Sequence, residues 1–286
     1  MSNHAQPFVL AGVMGWPVAH SRSPLIHSHW IAQYGLRGSY VPLPVQPDTL
    51  EAALRALPVL GFAGCNLTIP HKIAAVDIVD ALEPLARRIG AANTVVVRAD
   101  GSLLGRNTDA FGFIANLREA QQQWRADAGP VVILGAGGAA RAVLAGLLDA
   151  GATEIRICNR TLETAQQLAR EFADWGNPRL QAVAWTERHS ALDGAALLVN
   201  STSQGMQGQA PLDVRLDTLP ITALVTDIVY TPLQTPLLQA AAARGNPTAQ
   251  GLGMLIHQAR PAFEAWFGVL PQTTPALWAA VTATLS

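Results

Sequence analysis

Short apolar, β-branched runs alternate along this chain with longer stretches whose apolar residues recur at helical spacing. The runs fall at residues 8–14, 65–69, 94–98, 131–134, 154–158, 195–199 and 224–229. Strand-length runs separated by helices of ordinary length predict an α/β protein with parallel sheets. Three helix starts stand out. Ser23 reads as an N-cap, with Pro24 at the first helical position, where its missing N–H costs nothing. Pro70 predicts a second start, which puts Lys72 in a first helical turn. Asn107 and Thr108 form a polar cap ahead of Asp109 and the amphipathic series Phe111, Ile114, Ala115 and Leu117. Pro261 interrupts the apolar stretch 254–267 and predicts a kink or a break between two short helices. The Gln-rich segment 121–130, closing on Gly129-Pro130, reads as the approach to a second domain.

Composition narrows the partners. With 286 residues, half of them apolar and 14% charged, the chain can bury two ordinary domain cores. A net charge of −1 and a pI near 6.6 leave no field to draw in nucleic acid or an anionic membrane, so a small molecule is the expected partner. The longest apolar stretch, 131–148, is broken by glycines and Arg141 and falls short of a membrane span. Residues 1–7 are polar without a basic region, so no secretory signal is read and a cytoplasmic location is expected. Cys65 and Cys158 each lie in an apolar segment and are expected as buried thiols rather than a disulfide. No metal site is expected. His27 and His29 would project from different faces of a helix, and His71 and His257 lack carboxylate or cysteine neighbours at useful spacing.

The sharpest motif follows residues 131–134. Gly135-Ala136-Gly137-Gly138-Ala139-Ala140-Arg141 fits the strand, tight turn and helix of a dinucleotide site. Gly135 would permit the turn, Gly137 would let backbone approach a pyrophosphate, and Ala140 would allow close helix packing. The next strand then separates two cofactors. Where an NAD binder carries an acid for the ribose 2′-hydroxyl, this chain has Asn159-Arg160-Thr161. A cation among neutral donors suits the 2′-phosphate of NADP.

Candidate substrate chemistry lies earlier. Ser21 and Ser23 offer hydroxyls beside a helix N-terminus, a cradle for a carboxylate, although a cap and an incidental serine would look the same. A first-turn Lys72 would face the positive end of a helix dipole, and a nearby carboxylate would oppose that effect, a balance suited to proton transfer. Asp109 is the candidate partner, though an acid in a first turn also simply stabilises its helix.

Taken in order, the segments resemble the shikimate dehydrogenase family over nearly the whole chain. The resemblance is carried by Gly15-Trp16-Pro17-Val18-Ala19-His20-Ser21-Arg22-Ser23-Pro24, by Asn66-Leu67-Thr68-Ile69-Pro70-His71-Lys72, and by Ala92-Asn93-Thr94. Gly105-Arg106-Asn107-Thr108-Asp109, the Gly135 turn with Asn159-Arg160-Thr161, and Asn200-Ser201-Thr202-Ser203-Gln204-Gly205-Met206 continue it. Tyr230-Thr231-Pro232 with Thr235-Pro236-Leu237, and Gly251-Leu252-Gly253-Met254-Leu255 with Gln258, complete it.

The resemblance implies an oxidoreductase of aromatic amino acid biosynthesis that reduces 3-dehydroshikimate to shikimate with NADPH and works as a monomer or homodimer. It implies Lys72 and Asp109 as the catalytic pair. Ser21, Ser23, Asn66, Thr68, Asn93, Asp109, Tyr230 and Gln258 would bind substrate. Gly135, Ala136, Gly137, Gly138, Ala139, Asn159, Arg160, Thr161, Thr202, Met206, Ile228, Gly251 and Met254 would bind cofactor, with Gly253 also near the nicotinamide.

The implied fold is two α/β domains around an interdomain cleft. A substrate-binding domain with a mixed, mainly parallel sheet would take residues 1–108 and 251–286, and a Rossmann-type NADP domain 109–250. Two positions depart from the family pattern, Gln250 for Asp and Ala110 for Gly. Rival readings are a quinate/shikimate or aminoshikimate dehydrogenase, and a sensor of NADP or a metabolite without turnover. Arg160 speaks against an NAD-linked quinate enzyme, and the presence of both Lys72 and Asp109 against a sensor.

Overall fold

A computed structural model describes residues 7–176 and 178–285. Residues 1–6, most of the segment read as a polar start, lie outside them. The chain forms β1 (Val9–Gly15), α1 (Ser23–Gln33), β2 (Gly38–Pro44), α2 (Leu50–Ala56), β3 (Phe62–Leu67) and α3 (Ala75–Ile78). Then come β4 (Ala81–Leu82), α4 (Pro84–Ile89), β5 (Thr94–Val97), β6 (Leu103–Arg106), α5 (Asp109–Ala120) and β7 (Val131–Leu134). The series continues with α6 (Gly138–Asp149), β8 (Glu154–Asn159), α7 (Leu162–Glu171), β9 (Arg179–Ala184), β10 (Leu197–Asn200) and β11 (Leu224–Asp227). It closes with α8 (Pro236–Arg244), β12 (Thr248–Ala249), α9 (Gly251–Phe267) and α10 (Pro275–Thr282).

Contacts group the chain into two compact units, one made of the residues up to Thr108 together with Gln258–Thr284, the other of Asp109–His257. The sequence reading assigned everything from Gly251 to the first domain. The start of α9 instead lies with the second unit, because His257 Nε2 pairs with Glu119 of α5 at 2.6 Å and Asn116 of α5 donates to the Gln250 carbonyl at 2.9 Å.

The first unit carries a sheet of order β2-β1-β3-β5-β6-β4. β2, β1 and β3 run parallel, β5 is antiparallel to both β3 and β6, and β4 is parallel to β6. Met14, Leu50, Leu54, Leu57, Cys65, Leu67, Val95 and Leu103 fill one side of it. Trp30 of α1 meets Phe263 of α9 edge-on, with 5.4 Å between ring centroids. The second unit carries a sheet of order β12-β11-β10-β7-β8-β9, whose neighbouring strands run parallel throughout. Read from β9, that is the 3-2-1-4-5-6 order of a dinucleotide-binding sheet, with its switch point between β7 and β10. Against α5, a Cβ on Gly146 of α6 would come within 3.0 Å of the Ala110 carbonyl, so a larger residue there would need the two helices to part by a few tenths of an ångström.

Several local expectations are corrected. Lys72 lies in turns that precede α3, not in a first helical turn. Its carbonyl accepts from the Ala92 N–H at 2.8 Å, and the Val76 N–H, which an α-helix would direct to Lys72, donates to the Ile73 carbonyl at 3.1 Å instead. Ser23 is the first residue of α1 rather than its cap, and the Ser21 hydroxyl accepts from the Ser23 N–H at 3.3 Å. Pro261 does not break α9. Burial of Ile256, Phe263 and Trp266 along the helix outweighs a lost hydrogen bond and a ring clash that together cost about 3 kcal/mol.

Gly64 of β3 gives the fold a stringent test. Its φ is +152°, and a Cβ there would collide with the Val95 carbonyl and Trp266 Nε1. The indole N–H donates to that same carbonyl at 3.1 Å, so all three groups would have to move apart. Gly64→Ala should cost at least about 1–3 kcal/mol, read as a lowered urea midpoint. An unchanged midpoint would contradict this packing.

Candidate active site

In the first unit, polar side chains gather where β3 and β5 meet the ends of β6 and α9. Asn93 organises them. Its Nδ2 donates to the Thr108 hydroxyl at 2.9 Å and to Gln258 Oε1 at 3.1 Å. Its Oδ1 accepts from the Thr108 N–H at 2.8 Å and from the Thr94 hydroxyl at 3.1 Å. Asn66 Nδ2 donates to the Asn93 carbonyl at 3.1 Å and to Thr94 Oγ1 at 3.0 Å, and the Tyr40 phenol donates to Asn66 Oδ1 at 2.7 Å. Asn66, Asn93, Thr94, Thr108 and Gln258 are all buried. A buried amide without partners would cost about 1–3 kcal/mol, so this mutual pairing is what keeps so much polarity out of water.

Tyr40 links this cluster to Ser23. Burial pushes its phenol well above the ordinary range, against the hydrogen bond from Ser23. Its ring stacks on the His27 imidazole, with centroids 3.9 Å apart and planes 1° from parallel. His27 is fully buried, and desolvation brings its pKa down from 6.5 to about 3. Lys72 is half-buried, and its backbone joins Ala92, the residue before Asn93. Thr68 follows β3, where its N–H donates to the Met14 carbonyl at 3.0 Å. Of the expected substrate-binding and catalytic residues, Ser21, Ser23, Asn66, Thr68, Lys72, Asn93 and Gln258 therefore lie in the first unit, while Asp109 and Tyr230 belong to the second.

In the second unit the Gly135 turn sits at the switch point of the sheet. Gly135 has φ +105°, and a Cβ there would come within 2.7 Å of Ser201 Oγ, so the turn requires glycine. Its N–H donates to the Cys158 carbonyl at 2.7 Å, and the Ser201 N–H and hydroxyl both donate to the Leu134 carbonyl, at 2.9 and 2.7 Å. The turn, Asn159 at the end of β8 and Thr202 after β10 thus converge. A Cβ on Gly137 or Gly138 would meet nothing within 4 Å, and α6 starts without a side-chain cap or a first-turn acid. Open backbone N–H groups at a positive helix end fit a pyrophosphate. Arg160 is exposed beside Asn159, whose Nδ2 donates to the Thr161 carbonyl at 2.9 Å. Cys158 beneath them is a free buried thiol, pushed up to about 12 by desolvation.

The residues expected from the sequence near a nicotinamide lie on two more loops and the start of α9. The Gln207 N–H donates to the Thr231 carbonyl at 2.9 Å and the Ile228 N–H to the Asn200 carbonyl at 3.0 Å, which ties the Met206 and Tyr230 segments together. A Cβ on Gly251 would come within 2.5 Å of the Ile228 carbonyl, so glycine there lets α9 start against this loop. Met254 is buried one turn further on. Asp227 is wholly buried among these strand ends. Desolvation pushes its carboxyl above the usual range, opposed by hydrogen bonds from Thr235, Val229 and Asn200.

Sequence reasoning missed Tyr40, Thr94 and Asp227 as parts of these clusters. Asp227 was the most legible of the three, as an acid inside the apolar run 224–229, whereas Tyr40 lies in none of the runs. Thr94 was read as strand and as part of the Ala92-Asn93-Thr94 motif, with no role of its own.

An uncapped glycine turn at the switch point of a Rossmann-ordered sheet, with a cation where an NAD binder carries its ribose-binding acid, marks a dinucleotide-binding protein of the NADP class. Comparison with known proteins makes this specific. The family model for the shikimate dehydrogenase substrate binding domain matches residues 13–95, that for shikimate / quinate 5-dehydrogenase residues 118–207, and that for the shikimate 5′-dehydrogenase C-terminal domain residues 251–280. A shikimate dehydrogenase (NADP(+)) of Paramagnetospirillum magneticum is 58% identical over 272 residues, covering 95% of this chain and 97% of its own. A crystal structure of a shikimate dehydrogenase in complex with NADP+ is similar at a TM-score of 0.89 and 34% identity, over 98% of this chain and 96% of that one. The Thermus thermophilus shikimate 5-dehydrogenase with NADP(H) and shikimate is similar at a TM-score of 0.85 and 37% identity, over 97% of this chain and 100% of that one. The chain belongs to the shikimate dehydrogenase family.

His27 makes stability depend on pH. The unfolded chain takes up a proton at His27 near pH 6.5, the folded chain only at about pH 3. The contribution is whole above about 6.5 and declines as the pH falls toward 3, by up to about 1.4 kcal/mol per pH unit. His27→Phe, which keeps an aromatic ring against Tyr40, should flatten the loss of stability between pH 7 and 5. An identical acid limb in both proteins would remove His27 as its cause.

Proposed function

We propose that the chain catalyses the reversible NADPH-linked reduction of 3-dehydroshikimate to shikimate, in the synthesis of aromatic amino acids. The observation that carries this reading is the buried cluster Tyr40-Asn66-Asn93-Thr108-Gln258 beside Lys72, in a member of this family. A ring bearing several hydroxyls needs donors and acceptors held in advance, and a site built to hydrogen-bond hydroxyls rejects analogues that lack them. Ser21 and Ser23 hold the substrate carboxylate. Asn66, Thr68, Asn93, Tyr230 and Gln258 orient the ring through its oxygens.

NADPH, when bound, supplies the hydride. The backbone of Gly135, Ala136, Gly137, Gly138 and Ala139 holds its pyrophosphate, and Asn159, Arg160 and Thr161 its 2′-phosphate. Thr202, Met206, Ile228, Gly251 and Met254 line its nicotinamide end. Lys72 Nζ gives a proton to the carbonyl oxygen as it becomes a hydroxyl, and takes it back in the reverse direction. The Asp109 carboxylate serves as the hydrogen-bond acceptor for that hydroxyl. A balanced net charge suits action on a small molecule, and the reading places that action in the cytoplasm. The reading extends to a monomer or a homodimer.

Initial rates on shikimate and on quinate, each with NADP and with NAD, test this directly. Shikimate with NADP should be the fastest pair, and a preference for quinate with NAD would overturn the reading. Lys72→Ala should lower kcat by about 10²–10⁴-fold and leave NADPH binding nearly unchanged. Arg160→Ala should raise KM for NADP by about 10–100-fold while sparing that for NAD, because only the 2′-phosphate loses its partner.

A further inference from the structure

Asp227 ends β11 with no solvent exposure, yet its carboxylate is held by three neutral donors. One oxygen accepts from Asn200 Nδ2 at 2.9 Å and from the Val229 N–H at 3.0 Å, the other from the Thr235 hydroxyl at 2.8 Å. Each donor leads into a loop. Asn200 Nδ2 also donates to the Gln204 carbonyl at 3.1 Å, while Asn200 Oδ1 accepts from the Thr202 N–H at 3.1 Å and its hydroxyl at 2.7 Å. Thr202 Oγ1 in turn accepts from the Gln204 N–H at 3.1 Å. Val229 precedes Tyr230, and Thr235 caps α8 by accepting from the Leu238 N–H at 3.4 Å. Segments 200–207 and 228–235 are therefore fastened to a single carboxylate.

Purely structural anchoring does not call for a charge here. A buried ionised group is costly, and well-packed apolar residues often stabilise as well or better. What the carboxylate provides is acceptors only, matched to three donors, a pattern that admits one arrangement of the two loops. We propose that Asp227 is a positioning residue for hydride transfer, fixing through Asn200, Val229 and Thr235 the loops that present Thr202, Met206 and Tyr230 to the nicotinamide. The inference rests on the proposed reaction and adds to it a residue that touches neither substrate nor cofactor.

The test compares Asp227→Asn, Thr235→Val and Thr235→Ser with wild type. Asp227→Asn places an NH2 group against the donors. Without cofactor, amide exchange in segments 200–207 and 228–235 should quicken at least about tenfold, with β7 and β8 unchanged. NADPH affinity, followed by its fluorescence, and KM for shikimate should stay within about threefold, while kcat falls at least about 30-fold. The kinetic isotope effect on kcat, with shikimate deuterated at the oxidised carbon, should rise as hydride transfer becomes limiting. Thr235→Val should follow Asp227→Asn in direction, and Thr235→Ser, which keeps the hydroxyl, should stay near wild type. A loss of kcat that only tracks the fraction folded, with an unaltered isotope effect, overturns the inference, as does wild-type kcat in Asp227→Asn. An inactive wild type overturns the proposed reaction and this inference with it, whereas an active wild type with an indifferent Asp227→Asn overturns this inference alone.

Discussion

One side-chain amide, that of Asn93, spends both its ends inside the first unit, donating to Thr108 and Gln258 and accepting from the Thr108 backbone and Thr94. Because a buried amide left unpaired is expensive, each of these residues constrains the next, and Asn66 and Tyr40 extend the chain of constraints toward Ser23. The network joins β3, β5, the end of β6 and α9 at one place. Its energetic role and its proposed chemical role coincide, since polar groups held in fixed directions for the sake of burial are also preorganised for a polyhydroxylated ring.

The second unit solves a related problem with backbone rather than side chains. At its switch point, Gly135 takes a conformation closed to other residues, and Gly137 and Gly138 leave free space where a side chain would stand. Backbone N–H groups then point outward from the start of α6 with no acid to neutralise them. At the neighbouring strand ends, Asp227 gathers two loops around one charge. Rigid strand ends thereby carry loops whose own conformations are fixed by hydrogen bonds rather than by a hydrophobic core.

Much of this was legible in the sequence because it rests on local pattern. The run at 131–134 matches β7 from end to end, and the other apolar runs overlap β1, β3, β5, β8, β10 and β11. Three longer strands were not legible. β2 contains a glycine and two prolines and pairs only at the sheet edge, β6 is four residues with a glycine in it, and β9 is an edge strand whose face is mostly polar. Lys72 was read onto a helix because Pro70 looks like a first-turn proline; the chain instead runs through turns, with the Val76 N–H on the Ile73 carbonyl and the Lys72 carbonyl on the distant Ala92. The break read at Pro261 gave way to the apolar burial of a continuous helix. Tyr40, Thr94 and Asp227 escaped notice because each depends on a distant amide, Asn66 for Tyr40 and Thr94 and Asn200 for Asp227, which only the folded sheets bring within hydrogen-bond reach.

The fate of the transferred hydrogen tests the whole account most directly. 3-Dehydroshikimate is reduced by the protein in ordinary water with NADPH carrying deuterium on the transferring face of C4, and the product is examined by NMR. The proposed reaction requires one deuterium at the new carbinol carbon of shikimate, in a single configuration, and a solvent hydrogen on its oxygen. Deuterium lost to water, spread over both configurations, or absent because no turnover occurs would contradict a site that holds the ring in one orientation for direct hydride transfer.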